Sequence, residues 1–134
     1  MPMDYKATLQ RAAEKFRASA ALAAAEGLIP YKSENGRWIP SPYDGNSWWT
    51  GGFWPGLMWQ FYAATGDEAF LREARRTEEL LTAEFRRFTY LNHDVGFMYL
   101  LSCGAERHQP VRAAHGKAVP RRLHADARQP EPAH

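Results

Sequence analysis

The sequence predicts an all-α fold, and three observations carry the prediction. Apolar residues recur at three- and four-residue spacing over residues 4–26, about 50–64 and about 67–86. The stretch "ATGDEAF", residues 64–70, reads as a tight connection between two helices, with Gly66 ending one and Asp67 capping the next. No segment shows period-two alternation of any weight. Repeated helical hairpins of this kind suggest an all-α stack or toroid, of which the first two hairpins are present.

In the first helix, Leu9, Ala12, Phe16, Ala20 and Ala23 form one stripe, with Arg11, Lys15 and Arg17 mostly elsewhere. Gly27 stops it and Pro30 confirms the break. Residues 28–47 hold three Pro, two Gly and the Asn35–Gly36 pair, so they read as a long loop with room for a short hairpin at that pair. A loop of this length inside a compact domain is usually functional. The second helix carries two neighbouring stripes, Phe53/Leu57/Phe61 and Trp54/Met58/Tyr62, and Pro55 is tolerated only because it falls in the first turn. The third places Phe70, Ala74, Leu81 and Phe85 inward. Arg72, Arg75, Arg76, Glu78 and Glu79 read as an ordinary solvated face. A loop over 87–93 leads to a fourth helix that starts near Asp94 and runs past Leu101.

From Gly104 onward the material changes. All 18 aromatic residues lie at or before Tyr99, and four of the five His lie after Gly104. Such a segment has too little apolar surface to offset its ordering entropy. Its composition is also what a GC-rich gene yields when read out of frame, and the abrupt change in mid-helix favours that origin. The expected organisation is therefore 1–103 as a helical domain portion and 104–134 as a basic, disordered tail.

Charge follows the same division. Residues 1–103 carry 11 Lys/Arg against 12 Asp/Glu, and residues 104–134 carry 6 against 3. The basic pI belongs to the tail, so the body shows no nucleic-acid-binding face. Cys103 stands alone, which excludes an intrachain disulfide and favours a reducing compartment. No window reads as a signal peptide or a membrane span, so a cytoplasmic chain is expected. The tail histidines sit 7, 9 and 10 residues apart, which is not metal-ligand spacing.

Two stretches carry chemistry. Four of the five Trp fall between 48 and 59. Core packing accounts for Trp54 and Trp59 at helical spacing. It accounts less well for Trp48 and Trp49, which precede the helix beside Asn46, Ser47 and Thr50. Indoles at a loop–helix junction can stack on the apolar face of a pyranose, and Gly51 and Gly52 would let backbone approach a ligand. The second stretch is "NHDVGF", residues 92–97. Asp94 as a helix cap is a sufficient account of the carboxylate. It leaves His93 and Gly96 unexplained, and a carboxylate at a helix N-terminus is also held ionised and aimed, as a catalytic group must be. On chemistry alone the cap reading ranks above the catalytic one.

Taken together, "WWTGGFWPGLMWQFYAATGDEAFLREA" and "LNHDVGFMYLLS", in that order, resemble the opening part of the unsaturated glucuronyl hydrolases, glycoside hydrolase family 88. The similarity covers roughly residues 5–103. It implies an (α/α)6 barrel of six helical hairpins, of which this chain holds two. It implies action on oligosaccharides released by polysaccharide lyases, through hydration of the C4=C5 double bond of the terminal unsaturated uronic acid, without metal or organic cofactor. By the same resemblance Asp94 matches one of two catalytic aspartates, and His93 and Trp49 match substrate-binding positions. The family's principal acid/base aspartate lies further along, and the surroundings of Asp126 do not match it. The chain is therefore expected to be a truncated piece with little or no activity. Two other readings stand beside this one: a non-catalytic carbohydrate-binding or helical interaction fragment, and a related unsaturated rhamnogalacturonyl hydrolase. The expected partner is an unsaturated oligosaccharide, with no nucleic acid and no membrane.

Overall fold

The computed structural model describes residues 2–42, 46–87 and 92–108. Helix α1 spans Tyr5–Glu26. The Asp4 carboxylate accepts the Ala7 N–H at 3.0 Å, and Gly27, at φ +69°, supplies the left-handed residue that ends the helix. Ala13, Ala20 and Ala23 are its buried positions and Phe16 packs against the core. Leu9 of the expected stripe is exposed instead.

The loop after α1 contains a small antiparallel hairpin, β1 (Lys32–Glu34) and β2 (Arg37–Ile39), in the register Lys32↔Ile39, Ser33↔Trp38, Glu34↔Arg37. Asn35 and Gly36 both have positive φ, +50° and +75°. That conformation matches the twist of paired strands and is one that Asn–Gly adopts at little cost. The hairpin is local. Its Trp38 N–H donates to the Ser19 carbonyl at 3.2 Å and its ring meets Trp54 edge-on, which ties it to α1 and the core.

A 3-10 turn, Trp49–Gly52, leads into α2 (Phe53–Thr65). Gly66 closes α2 at φ +70°, and α3 (Glu68–Arg87) follows at once. The Asp67 carboxylate accepts the Ala69 N–H at 2.9 Å and pairs with Arg17 at 2.6 Å, pinning this connection to α1. The core lies between these three helices. Phe61 stacks on Phe70 with centroids 5.0 Å apart, Phe16 covers Phe61 at 5.0 Å, and Trp59, Met58, Ala74 and Leu81 are fully enclosed. Helix α4 (Val95–Leu101) and the short α5 (Cys103–His108) complete the described chain.

Two expectations need correction. The charged face of α3 is not uniformly solvated, because Glu73, Thr77, Glu78 and Glu84 are buried. Two core indoles carry N–H groups that need acceptors, and α3 supplies them: Trp54 donates to Glu73 at 2.8 Å and Trp59 to Glu78 at 2.6 Å. Arg76 neutralises Glu73 with two bonds of 2.6 and 2.8 Å and also donates to the Leu28 carbonyl. The fourth helix also does not run on unbroken. Ser102 leaves the helical region at φ −100°, ψ −96°, and its carbonyl then accepts the N–H groups of Ala105 and Glu106 to start α5. Residues 104–108 of the expected tail therefore belong to a helix, and 109–134 lie outside the described residues.

Helices dominate the described residues, with one two-stranded hairpin beside them. Among these residues, no helix is long and apolar enough to cross a membrane.

Candidate functional site

The site residues sit on two elements, the 3-10 turn before α2 and the N-terminal end of α4. What brings these together is glycine. A Cβ on Gly52 would lie 2.6 Å from the Met98 carbonyl oxygen and 2.8 Å from its Cα; one on Gly56 would lie 2.6 Å from the Leu101 carbonyl oxygen. The backbone of α4 therefore rests directly on the 3-10 turn and the first turns of α2. The expectation that Gly51 and Gly52 admit a ligand is overturned for Gly52, which admits a helix; Gly51 packs against Leu81, Asn46 and Met98 and also lines the hollow on the Trp48 side.

Asp94 ends up in a position the cap reading does not describe. It has αR dihedrals, φ −82° and ψ −5°, and its side chain makes no capping hydrogen bond. A cap residue needs an extended backbone so that its side chain can turn back onto the free amides. Asn92 does that work instead: its Oδ1 accepts the Asp94 N–H at 2.9 Å and its carbonyl accepts the Val95 N–H at 3.2 Å. The Asp94 carboxylate is left one-third exposed (33%), with the His93 Nε2 3.6 Å away. The His93 imidazole is itself 91% exposed. Its pull on Asp94 is therefore screened by water.

A ladder of aromatic rings runs from the 3-10 turn to α4. Trp48 meets Trp49 at 6.3 Å, Trp49 meets Phe53 edge-on at 5.9 Å, and Phe53 meets Phe97 edge-on at 5.5 Å. Trp49, Phe53 and Phe97 are 39%, 45% and 47% exposed. The ladder crosses from the 3-10 turn to α4, where Phe97 stands three residues after Asp94. Trp49 and Asp94 are thus on neighbouring elements joined by two rings, and His93 reaches outward into solvent. A shallow hollow lined by Ile29, Tyr31, Ser41, Asn46, Trp48 and Thr50 opens on the Trp48 side; neither Trp49 nor Asp94 lines it.

Sequence reasoning missed Phe53 and Phe97. Phe53 stands on the stripe of the buried Phe61, but it is the first residue of α2 and is itself 45% exposed. Among the described residues, no group of three His, Cys, Asp or Glu side chains is placed to hold a metal ion.

Known proteins agree with the motif resemblance over part of the chain. It is 44% identical to the unsaturated glucuronyl hydrolase of Bacillus sp. (strain GL1) over 62 residues, which is 46% of this chain and 16% of that protein. It is 37% identical over 62 residues to the unsaturated chondroitin disaccharide hydrolase of Streptococcus pyogenes serotype M1, again 46% of this chain and 16% of the relative. The protein of the same name from Streptococcus pneumoniae is 36% identical over 66 residues, 48% of this chain and 17% of the relative. The match thus spans about a sixth of these curated relatives. No family model and no solved structure matches.

Proposed function

We propose that this chain carries the sugar-stacking and aspartate-bearing part of a glycoside hydrolase acting on unsaturated uronic-acid oligosaccharides, built as the opening hairpins of an α/α toroid. The observation that supports the reading is the ladder Trp48–Trp49–Phe53–Phe97, exposed at its last three rings and ending on α4 three residues after a carboxylate that its own helix does not use. Similarity to the glucuronyl and chondroitin disaccharide hydrolases supports it. In this reading Trp49 stacks on a sugar face, the Asp94 carboxylate orients water or a sugar hydroxyl, and His93 lends a donor from the solvent side. Hydration of a C=C bond also needs a protonated acid to deliver a proton to carbon. The principal acid/base aspartate that the resemblance implies has no match in this chain, so in this reading binding is the stronger activity and turnover is slight or nil. A reducing, cytoplasmic setting goes with the buried thiol of Cys103.

The test is a titration with an unsaturated uronyl disaccharide, followed by tryptophan fluorescence and by the ultraviolet absorbance of the C=C–carboxylate. Fluorescence changes with saturation, and Trp49→Ala weakens binding about fivefold, the equivalent of about 1 kcal/mol of lost stacking. Any fall in absorbance vanishes in Asp94→Asn. A chain whose fluorescence ignores the disaccharide, or which binds equally well as Trp49→Ala, does not have this function. The ladder itself favours a second reading, a carbohydrate-binding fragment without chemistry, for which binding persists and Asp94→Asn leaves the absorbance trace unchanged.

A further inference from the structure

Asn35 and Gly36 make the two-residue turn between β1 and β2, and both are exposed. Gly36 has no side chain to shield its amide nitrogen, and a Cβ built there would meet nothing within 4 Å. Among the described residues its N–H donates to no backbone carbonyl outside the paired strands. An open amide nitrogen therefore follows an open side-chain carboxamide, at the spacing that closes a five-membered ring. The other two Asn of the sequence are placed differently. Asn92 is engaged, with its Oδ1 accepting the Asp94 N–H at 2.9 Å, and the bulky His93 follows it. Asn46 is half-buried and precedes the buried Ser47.

We propose that Asn35 is a self-modification site, and that its conversion to isoaspartate unseats the hairpin from α1. The Gly36 amide nitrogen attacks Asn35 Cγ. The new N–Cγ bond closes a cyclic imide, the Cγ–Nδ2 bond breaks, and ammonia leaves with the amide proton. Water then opens the ring. Opening at Cγ leaves an aspartate; opening at the main-chain carbonyl leaves an isoaspartate, whose peptide link runs through the side-chain carbon. The balance is asparagine plus water giving isoaspartate plus ammonia, with nothing oxidised or reduced. The turn must open for the nitrogen to reach Cγ. That opening costs little, because every residue of β1 is exposed and a two-stranded hairpin is marginal by itself. Isoaspartate then prevents reclosure. It adds one methylene to the backbone between Glu34 and Gly36, where a two-residue turn sets the register Ser33↔Trp38 and Glu34↔Arg37. Trp38 thereby loses its 3.2 Å bond to the Ser19 carbonyl and its edge contact with Trp54 at 5.4 Å. A reversible opening becomes a one-way release of Trp38.

The full chain is aged in mildly alkaline heavy-oxygen water and then digested briefly with trypsin in ordinary water. The peptide from Ser33 to Arg37 gains the mass of a deamidation that took up one heavy oxygen, and the peptides carrying Asn46 and Asn92 show no deamidation. Conversion in the folded chain runs at about a tenth or more of the rate in denaturant, because only the hairpin has to open. Isoaspartate is told from aspartate by elution against synthetic peptides. Its effect is read from the indole N–H resonance of Trp38, assigned with Trp38→Phe. In the isoaspartate-bearing chain that resonance moves to the position of a solvent-exposed indole. In freshly prepared Asn35→Asp, which has the new charge without the added methylene, it stays where it was. Slower conversion in the folded chain, equal conversion at all three Asn, a Trp38 resonance unmoved by isoaspartate, or an equal movement in Asn35→Asp overturns the proposal.

Discussion

Adding one methyl group at Gly52 should do more damage than removing most side chains of α4. The new Cβ would stand 2.6, 2.8 and 3.1 Å from three backbone atoms of Met98. Real Cβ contacts are essentially never under 3.0 Å, and these atoms are backbone, so no rotamer change can make room. Either α4 slides off the 3-10 turn by roughly half an ångström or the turn itself deforms. Overpacking of this kind costs about 1–3 kcal/mol, and the upper half of that range applies here because three contacts fail at once. Gly96→Ala is the matched control. A Cβ there meets nothing within 4 Å, and replacing a helical glycine gains up to about 1 kcal/mol. The two Gly→Ala changes thus have opposite signs and differ by about 3 kcal/mol, more than a hundredfold in the unfolding constant. Urea unfolding followed by tryptophan fluorescence measures both, and Gly52→Ala should lower the midpoint by about 1 M with an unchanged slope. If Gly52→Ala unfolds within about 0.5 kcal/mol of the parent, the backbone contact between α4 and the 3-10 turn is not what holds α4 in place.

Further outcomes follow from the same contacts. Asp94→Ala should leave stability nearly unchanged, whereas Asn92→Ala should cost about 1 kcal/mol in the same urea assay, since Asn92 does the capping; the reverse order would restore the cap reading of Asp94. Trp59→Phe strips the N–H from buried Glu78 and should cost about 1–3 kcal/mol, while leaving disaccharide binding at the Trp49 end intact. Because the Glu78 carboxyl is raised when folded, its stabilisation is complete below about pH 4.5 and is lost as pH climbs to about 7, a fall of at most about 3 kcal/mol that Glu78→Gln should abolish. Asp67 acts in the opposite sense: the Ala69 N–H, with Arg17 assisting, lowers its carboxyl, so its contribution is present above the ordinary carboxylate range and fades on acidification. Guanidine melts at stepped pH would show the two slopes, and a profile rising between pH 5 and 7 would contradict the Glu78 assignment.

Much of the fold could be read from the sequence because its signals are local. Gly27 and Gly66 ended their helices, Asp67 capped the next, and Asn35–Gly36 turned a hairpin, each through backbone preferences that act within four residues. What could not be read was set by partners distant in sequence. Glu73 and Glu78 look like surface charges until Trp54 and Trp59, 19 residues earlier in each case, require acceptors. At the candidate site, Trp49 and Asp94 stand out in their motifs, but the contact between Phe53 and Phe97 does not. Phe53 and Phe97 become neighbours only once α4 has docked.

The role of Asp94 turns on the same docking. Local sequence offers an acid before an apolar run, and a cap is the cheapest use of it. The backbone removes that use: with Asp94 already helical and Asn92 holding the turn, the carboxylate has no structural task left within its own helix. A seven-residue helix could not hold such an arrangement by itself. It is held because Gly52 and Gly56 let it lie backbone against backbone on α2, with Met98 and Ser102 buried beneath it. The residues that fix the carboxylate's position are therefore glycines and buried core side chains, distinct from the residues proposed to carry the chemistry.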